Sequence, residues 1–285
     1  YELPFRSDYW LIYYNKDVFD AAGIAYPSND MTMEDYDALA RQLTDTTYGS
    51  QVYGCHYHTW RSAVELFGIL DGKHSILDGN YDWMIPYYDM ILSEEDDGVC
   101  QTYTDLSTEG LHYSAAFSNG NVAMMNMGSW FISTLISNLD SGEYDSSLCG
   151  NWGIASYPHP DGAEAGSTIA TITGLAVTSA SANKDAAFDF VNWVSGTEGA
   201  KVMASTGNFP AIMTDDVINT IAGMAGFPTD EGSKEALNIT NAYLEVPYAE
   251  NVSEINSILD TYHTSIMNRE VTVEEGVASM NEQVG

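Results

Sequence analysis

The chain has 285 residues, 45% of them hydrophobic and 18% charged, which suits one large or two modest globular domains with a buried core and not a disordered chain. Acidic residues outnumber basic ones 41 to 9, a formal net charge of −32 that repels phosphate backbones and anionic bilayers alike, so no nucleic-acid partner is expected. No run approaches the roughly 18 apolar residues of a membrane-spanning helix, and no signal-peptide pattern is present.

Tyr1 sits directly in an apolar, strand-like run, Tyr1-Glu-Leu-Pro-Phe5, where a mature terminus is more often a loose polar tail, so a segment upstream is expected. Leu11-Ile-Tyr-Tyr14 predicts a buried strand. Thr32 and Asp35 form a capping-box pattern with aspartate in the glutamate place, and Tyr36, Leu39, Ala40 and Leu43 follow at helical spacing. Ala63, Val64 and Phe67 predict a helix introduced by Trp60, and Met84, Tyr87, Tyr88, Ile91 and Leu92 predict another. The one dense acidic run, Glu94-Glu95-Asp96-Asp97, reads as a solvated loop. Gly120 to Met127 reads as a buried strand, which Gly128 and Ser129 end before a helix carrying Trp130, Leu135 and Ile136. Trp152 to Tyr157 and Gly174 to Thr178 read as further strands. A helix after Asn183 carries Ala187, Phe190, Val191 and Val194 on one face. Val252, Ile255, Leu259, Tyr262 and Ile266 mark one face of a long helix, and Thr272 with Glu275 caps the last one. Strands alternating with helices place the chain in the α/β class.

Aromatic residues make up 12% of the chain, which is its most informative compositional feature. Tyr and Trp offer a flat apolar face with a polar edge. A pyranose ring presents an apolar C–H face and a rim of hydroxyls, so aromatic platforms beside carboxylates and amides suit sugars. Most of these rings belong to the core, but three groups stand at junctions beside polar residues. They are Tyr9-Trp10 after Arg6-Ser-Asp8, Trp60 in His56-Tyr-His-Thr-Trp60, and Trp130 in Gly128-Ser-Trp130.

Signals for chemistry are sparse. His56 and His58 share a face if their segment is extended, but no third metal ligand stands nearby, so hydrogen bonding or structure is the preferred role. Cys55, Cys100 and Cys149 show no CxxC spacing. An odd count leaves at least one without an internal partner, and sequence does not choose a disulfide pair. There is no GxSxG, HExxH, P-loop or GxGxxG pattern, and Ser129 lacks the nucleophile-elbow glycines. A glycosidase needs two carboxylates flanking one bond, and 41 acidic residues make such pairs too plentiful to inform.

Five segments in order carry a resemblance: Leu3 to Asp17, Met31-Thr-Met-Glu-Asp-Tyr36, Phe117 to Met124 with Gly128-Ser-Trp130, Asn183 to Phe190, and Gly207-Asn-Phe-Pro-Ala211. Together they resemble the family 1 extracellular solute-binding proteins, the group that includes maltose-binding protein. The resemblance implies a periplasmic-binding-protein type II fold of two α/β lobes joined by crossing strands, with ligand in the cleft between them. It implies about a hundred further residues upstream, one domain-sized lobe. On this reading residues 1–10 form the first crossing strand, 11–206 the second lobe, 207–250 a crossing segment with helices of the first lobe, and 251–285 helices returning to the second lobe. The apolar positions Ile218, Ile221 and Met224 would then lack a covering sheet and be poorly packed, rearranged or covered by another chain.

The resemblance also implies a function and a site. The function is capture of a sugar, an oligosaccharide, for the permease of an ATP-binding-cassette importer, by an extracellular, lipid-anchored or periplasmic monomer that needs no cofactor and is not an enzyme. A carbohydrate hydrolase and a carbohydrate adhesion module are the alternatives. Asp8 is the expected acceptor of sugar hydroxyls, Arg6 and Tyr9 its neighbours, and Trp130 the stacking platform, with His58, Trp60, Thr173 and Asn208 also lining the site. Where maltose-binding protein presents a further tryptophan, this chain reads Glu254-Ile-Asn256, which exchanges stacking for hydrogen bonding through Glu254 and Asn256.

Overall fold

The computed structural model describes residues 2–44 and 51–285; Tyr1, expected on the first crossing strand, lies outside them. Among the described residues six strands form the frame: β1 (Leu3–Asn15), β2 (Tyr53–His56), β3 (Val122–Gly128), β4 (Trp152–Ser156), β5 (Thr168–Leu175) and β6 (Ala242–Leu244). β1 is the spine. Its 13 residues span roughly 43 Å at strand rise and join two sheet regions. Leu3 to Tyr9 pairs antiparallel with β5, and Trp10 to Asn15 lies between β3 and β4, antiparallel to both. β2 adds parallel to β3, and β6 parallel to β5.

The strand is longer than the apolar run Leu11 to Tyr14 because its polar first half finds a partner strand. Residues 11–15 are buried on both faces, as a central strand requires, while Arg6 and Tyr9 stay partly open. Tyr13, Phe67, Phe131 and Tyr36 fill the core around this junction. The expected capping boxes form at Thr32–Asp35 and Thr272–Glu275, opening the Met33–Leu43 and Val273–Val284 helices. Helices also form at Ser62–Ile69, Trp130–Ser141 and Val252–Met267, where apolar spacing predicts them.

Three expectations are corrected. The strand predicted at Gly174 to Thr178 lies earlier, at Thr168–Leu175, because residues from Thr168 pair with β6 and those from Ala170 to Leu175 with β1. The acidic run is no loop: Glu94 to Asp96 closes the Ile85–Asp96 helix, Glu94 is fully buried, and Glu95 accepts the Tyr103 backbone N–H at 2.9 Å. Arg269 lies 2.9 Å from Asp96 and Arg41 pairs with Asp97.

The Ile212 to Glu245 segment, expected to leave an apolar face uncovered, is packed into the body. Val217, Ile221, Phe227 and Leu237 are buried. Phe227 meets Trp152 of β4 edge-on at 6.0 Å, Ser233 Oγ accepts the Ile154 N–H at 3.1 Å, and Lys16 pairs with Asp230. The open apolar surface is elsewhere. On the Lys184–Val194 helix only Val191 is buried, and Phe188, Phe190 and Trp193 are 55%, 60% and 49% exposed, with Ile172 of β5 also exposed.

Candidate functional site

Side chains alternate along a strand, so Arg6, Asp8 and Trp10 share one face of β1. Thr173 and Thr171 of β5 stand opposite Arg6 and Asp8 in register and face the same way. Asp8 is buried and held from two sides. Arg6 Nε lies 2.6 Å from Oδ2 and Arg6 Nη2 donates to Oδ1 at 3.0 Å. Ser129 Oγ donates to Oδ1 at 2.9 Å while accepting the Tyr9 backbone N–H at 3.2 Å. Burial pushes the Asp8 carboxyl above its ordinary range, and the bonds from Arg6 and Ser129 pull it back only in part. A carboxylate offers about four acceptor positions. The two hydrogen bonds fall on Oδ1, and Oδ2 faces Arg6 Nε as an ion pair.

Next along the face stands an aromatic wall. Trp10 is buried and lies edge-on beneath both Trp130, at 5.5 Å between ring centroids, and Trp60, at 6.4 Å. Trp60 and Trp130 are 6.3 Å apart, and Trp60 is 40% exposed. Trp130 donates its indole N–H to the Tyr113 hydroxyl at 3.1 Å. A side chain at Gly128 would place its Cβ 2.0 Å from the Trp130 ring, so the glycine is what lets this tryptophan fold back over the end of β3. His58 meets Trp60 edge-on at 4.6 Å and Tyr113 at 5.3 Å. Burial, with His112 nearby, pulls His58 down to about 4, so His58 is uncharged at neutral pH.

Beyond Trp60 a cavity of about 370 Å³ opens between the start of the Ser62–Ile69 helix and the Val252–Met267 helix. Arg61 is buried there. It pairs with Glu65, donates from Nε to Asp260 at 2.9 Å, and donates from Nη2 to Asn256 Oδ1 at 2.6 Å. Glu245 accepts from Ser62 and from Thr171, each at 2.5 Å, and so ties this cavity to the Asp8 face.

The fold therefore brings Arg6, Asp8, Thr173, Trp60, Trp130 and His58 to one face or its wall, with Tyr9 bonded into it through its backbone. Asn256 lines the adjoining cavity. Glu254 is exposed on the first turn of its helix. Asn208 runs beside β1, where the Phe209 carbonyl accepts the Ser7 N–H, but its side chain turns back to Thr206 Oγ1 at 3.0 Å. His56 is fully buried at the end of β2, away from the wall that holds His58.

Sequence reasoning missed Ser129, Tyr113, Arg61, Glu245 and Thr171 as parts of the site. Thr171 was findable, since it stands two residues from Thr173 on the same strand face. Arg61 adjoins Trp60, but its partners Asn256 and Asp260 are almost two hundred residues away, and no local signal links Tyr113 to Trp130.

The described groups can hold an apolar ring face against tryptophan and bind hydroxyls at a carboxylate, an amide and threonines. A family model described as bacterial extracellular solute-binding protein matches residues 1–201. No curated protein matches the chain. Among solved structures, a sugar transporter from Rhizobium etli in an open conformation is 49% identical, with a TM-score of 0.91, over 100% of this chain and 72% of that one. An ABC substrate-binding protein from Listeria monocytogenes in complex with cycloalternan is 22% identical, with a TM-score of 0.80, over 100% of this chain and 70% of that one. A solute-binding protein of an ABC transporter from Thermotoga lettingae, bound with α-D-tagatose, is 18% identical, with a TM-score of 0.70, over 100% of this chain and 71% of that one. The fold is thus that of the periplasmic-binding-protein-like structures, and the chain belongs to the bacterial extracellular solute-binding protein family.

Proposed function

We propose that this protein captures a sugar, an oligosaccharide, and delivers it to the permease of an ATP-binding-cassette importer without chemical change. The observation that carries the reading is the wall of Trp10, Trp60, Trp130 and Tyr113 beside the partly open Arg6 and the buried Asp8 on one strand face. Such a wall stacks against C–H faces, and the charge-assisted acceptor at Asp8 fixes hydroxyls. The description of the 49% identical relative as a sugar transporter supports it.

The chain spans 72% of that relative, and we assign the remainder to a first lobe that closes over the wall. The exposed Phe188, Phe190, Trp193 and Ile172 are the surface such a lobe would cover. The Lys184–Val194 helix then goes with the first lobe, and the packed Ile212 to Glu245 segment stays with the second. In the cell the protein works outside the membrane as a lipid-anchored or periplasmic monomer.

The test is calorimetry of the complete protein against a panel of neutral mono- and oligosaccharides, with analysis of the recovered sugar. Binding with the sugar recovered intact supports capture. Cleavage of the bound sugar would replace this reading with a hydrolase, and no binding to any neutral sugar would end it.

A further inference from the structure

Three cysteines with no motif leave the pairing open in sequence, and the fold brings two of them together. Cys55 lies within β2 and is fully buried; Cys100 follows the Ile85–Asp96 helix and is buried against it. The Cys55 backbone N–H points to the Val99 carbonyl at 3.4 Å, so the two backbones run side by side there, as the short Cα span of a disulfide, about 4.4–6.8 Å, requires. The two sulfurs and a Glu94 carboxylate oxygen all lie within 4.8 Å of one another. Cys149 stands in a different setting: its thiol donates to the Asp145 carbonyl at 3.7 Å, within its own short helix.

We propose that Cys55 and Cys100 form a disulfide in the exported protein and that Cys149 remains a thiol. Membership in an extracellular family places the chain where disulfides persist. The oxidant is the disulfide of an oxidised dithiol catalyst outside the cytoplasm. One cysteine thiolate attacks that disulfide, forming a mixed disulfide and releasing one catalyst thiolate. The second cysteine thiolate attacks the mixed disulfide and releases the other. Two S–H bonds of this chain are lost and one S–S bond forms, while the catalyst leaves as a dithiol with both electrons and both protons. Both sulfurs are shut inside the finished fold, so the exchange precedes closure of the core.

Glu94, the third group here, is fully buried beside the two sulfurs. A cation held by the two sulfurs and Glu94 is the competing occupant, and the test separates the two. The bridge closes the loop that contains the Ser62–Ile69 and Ile85–Asp96 helices, and it pins β2 at the base of the segment that carries His58 and Trp60.

The test uses the complete protein purified after export. Thiols are alkylated under denaturing conditions before and after reduction, and unreduced peptides are mapped by mass spectrometry. Of the three cysteines, only Cys149 is expected to label before reduction, with the Cys55 and Cys100 peptides linked and 2 Da lighter than their reduced sum. Labelling of all three overturns the proposal, and doing so alongside stoichiometric zinc that a chelator removes identifies a metal site in its place. Melting gives a second readout: reductant should lower the wild-type midpoint and leave Cys55→Ala and Cys100→Ala unmoved. A reductant shift that survives in both variants also overturns it.

Discussion

The β1 face and the Lys184–Val194 helix each carry a cluster of aromatic side chains, and the two are built differently. On the β1 face, Trp60 and Trp130 rest edge-on against the buried Trp10, and polar groups stand beside them: the Tyr113 hydroxyl accepts the Trp130 indole N–H, His58 meets Trp60 edge-on, and Arg61 with its carboxylates follows Trp60. On the Lys184–Val194 helix, Phe188, Phe190 and Trp193 are more open, and no polar network among the described residues frames them. Exposed aromatic area by itself marks only something that prefers to be covered. An oriented polar frame around it distinguishes a surface that binds a soluble, hydroxyl-rich ligand and lets it go from one that is covered once, by protein.

The comparison predicts that the frame behind the wall is rigid and costly to break. Arg61→Met leaves Glu65 buried without its cation and removes a donor from Asn256 and Asp260. Breaking a buried pair in this way should cost about 3–5 kcal/mol of stability in urea unfolding, and adding Glu65→Leu should recover most of it. A loss below about 1 kcal/mol would mean that the pair behaves as a surface contact and that the wall has no rigid frame.

At the head of the wall, Asp8→Asn keeps the shape and removes the charge. The charged acceptor should account for about 1.5–3 kcal/mol of ligand affinity, read by calorimetry, with circular dichroism unchanged. Loss of a measurable cleavage of the ligand in this variant, in place of lost binding, would reassign Asp8 to proton chemistry.

Much of the frame was legible locally. The capping boxes at Thr32 and Thr272 and the apolar run Leu11 to Tyr14 each satisfy their own backbone within a few residues, so reading them needs no tertiary knowledge. Asp8 and Trp130 were found through the ordered resemblance, and the fold brings both to one face. What sequence did not reveal depends on distant partners. Glu94 follows Ser93 in an acidic run that looks solvated, and only helix packing turns it inward. The Ile212 to Glu245 segment looks unpartnered until β4, almost eighty residues upstream of Ser233, lies against Ser233 and Phe227. Arg61 looks like a surface charge until the Val252–Met267 helix supplies Asn256 and Asp260.

The wall and its supports also contain histidines, whereas the Lys184–Val194 helix has none. Burial, with Arg61 nearby, pulls His263 down to about 3, and burial with His112 pulls His58 down to about 4. Below the unfolded value near 6.5 the unfolded chain takes up protons that the folded one refuses. Stability from these groups is therefore complete above about pH 6.5 and is lost as pH falls toward 4, with a slope of up to about 1.4 kcal/mol per pH unit for each group. His263→Gln should flatten part of that fall in melting experiments across pH 4 to 7; an unchanged slope would mean that His263 is already protonated in the folded protein.

The most direct measurement compares the two aromatic surfaces in the complete protein by calorimetry with the sugar that binds. Trp60→Ala and Trp130→Ala should each cost about 1–3 kcal/mol of affinity, the scale of burying a large side chain against the ligand. Trp193→Ala should leave affinity within about 0.5 kcal/mol, as a change outside the site should. Unchanged binding in both wall variants, or a loss at Trp193 as large as at Trp130, would contradict the assignment of the β1 face as the ligand site.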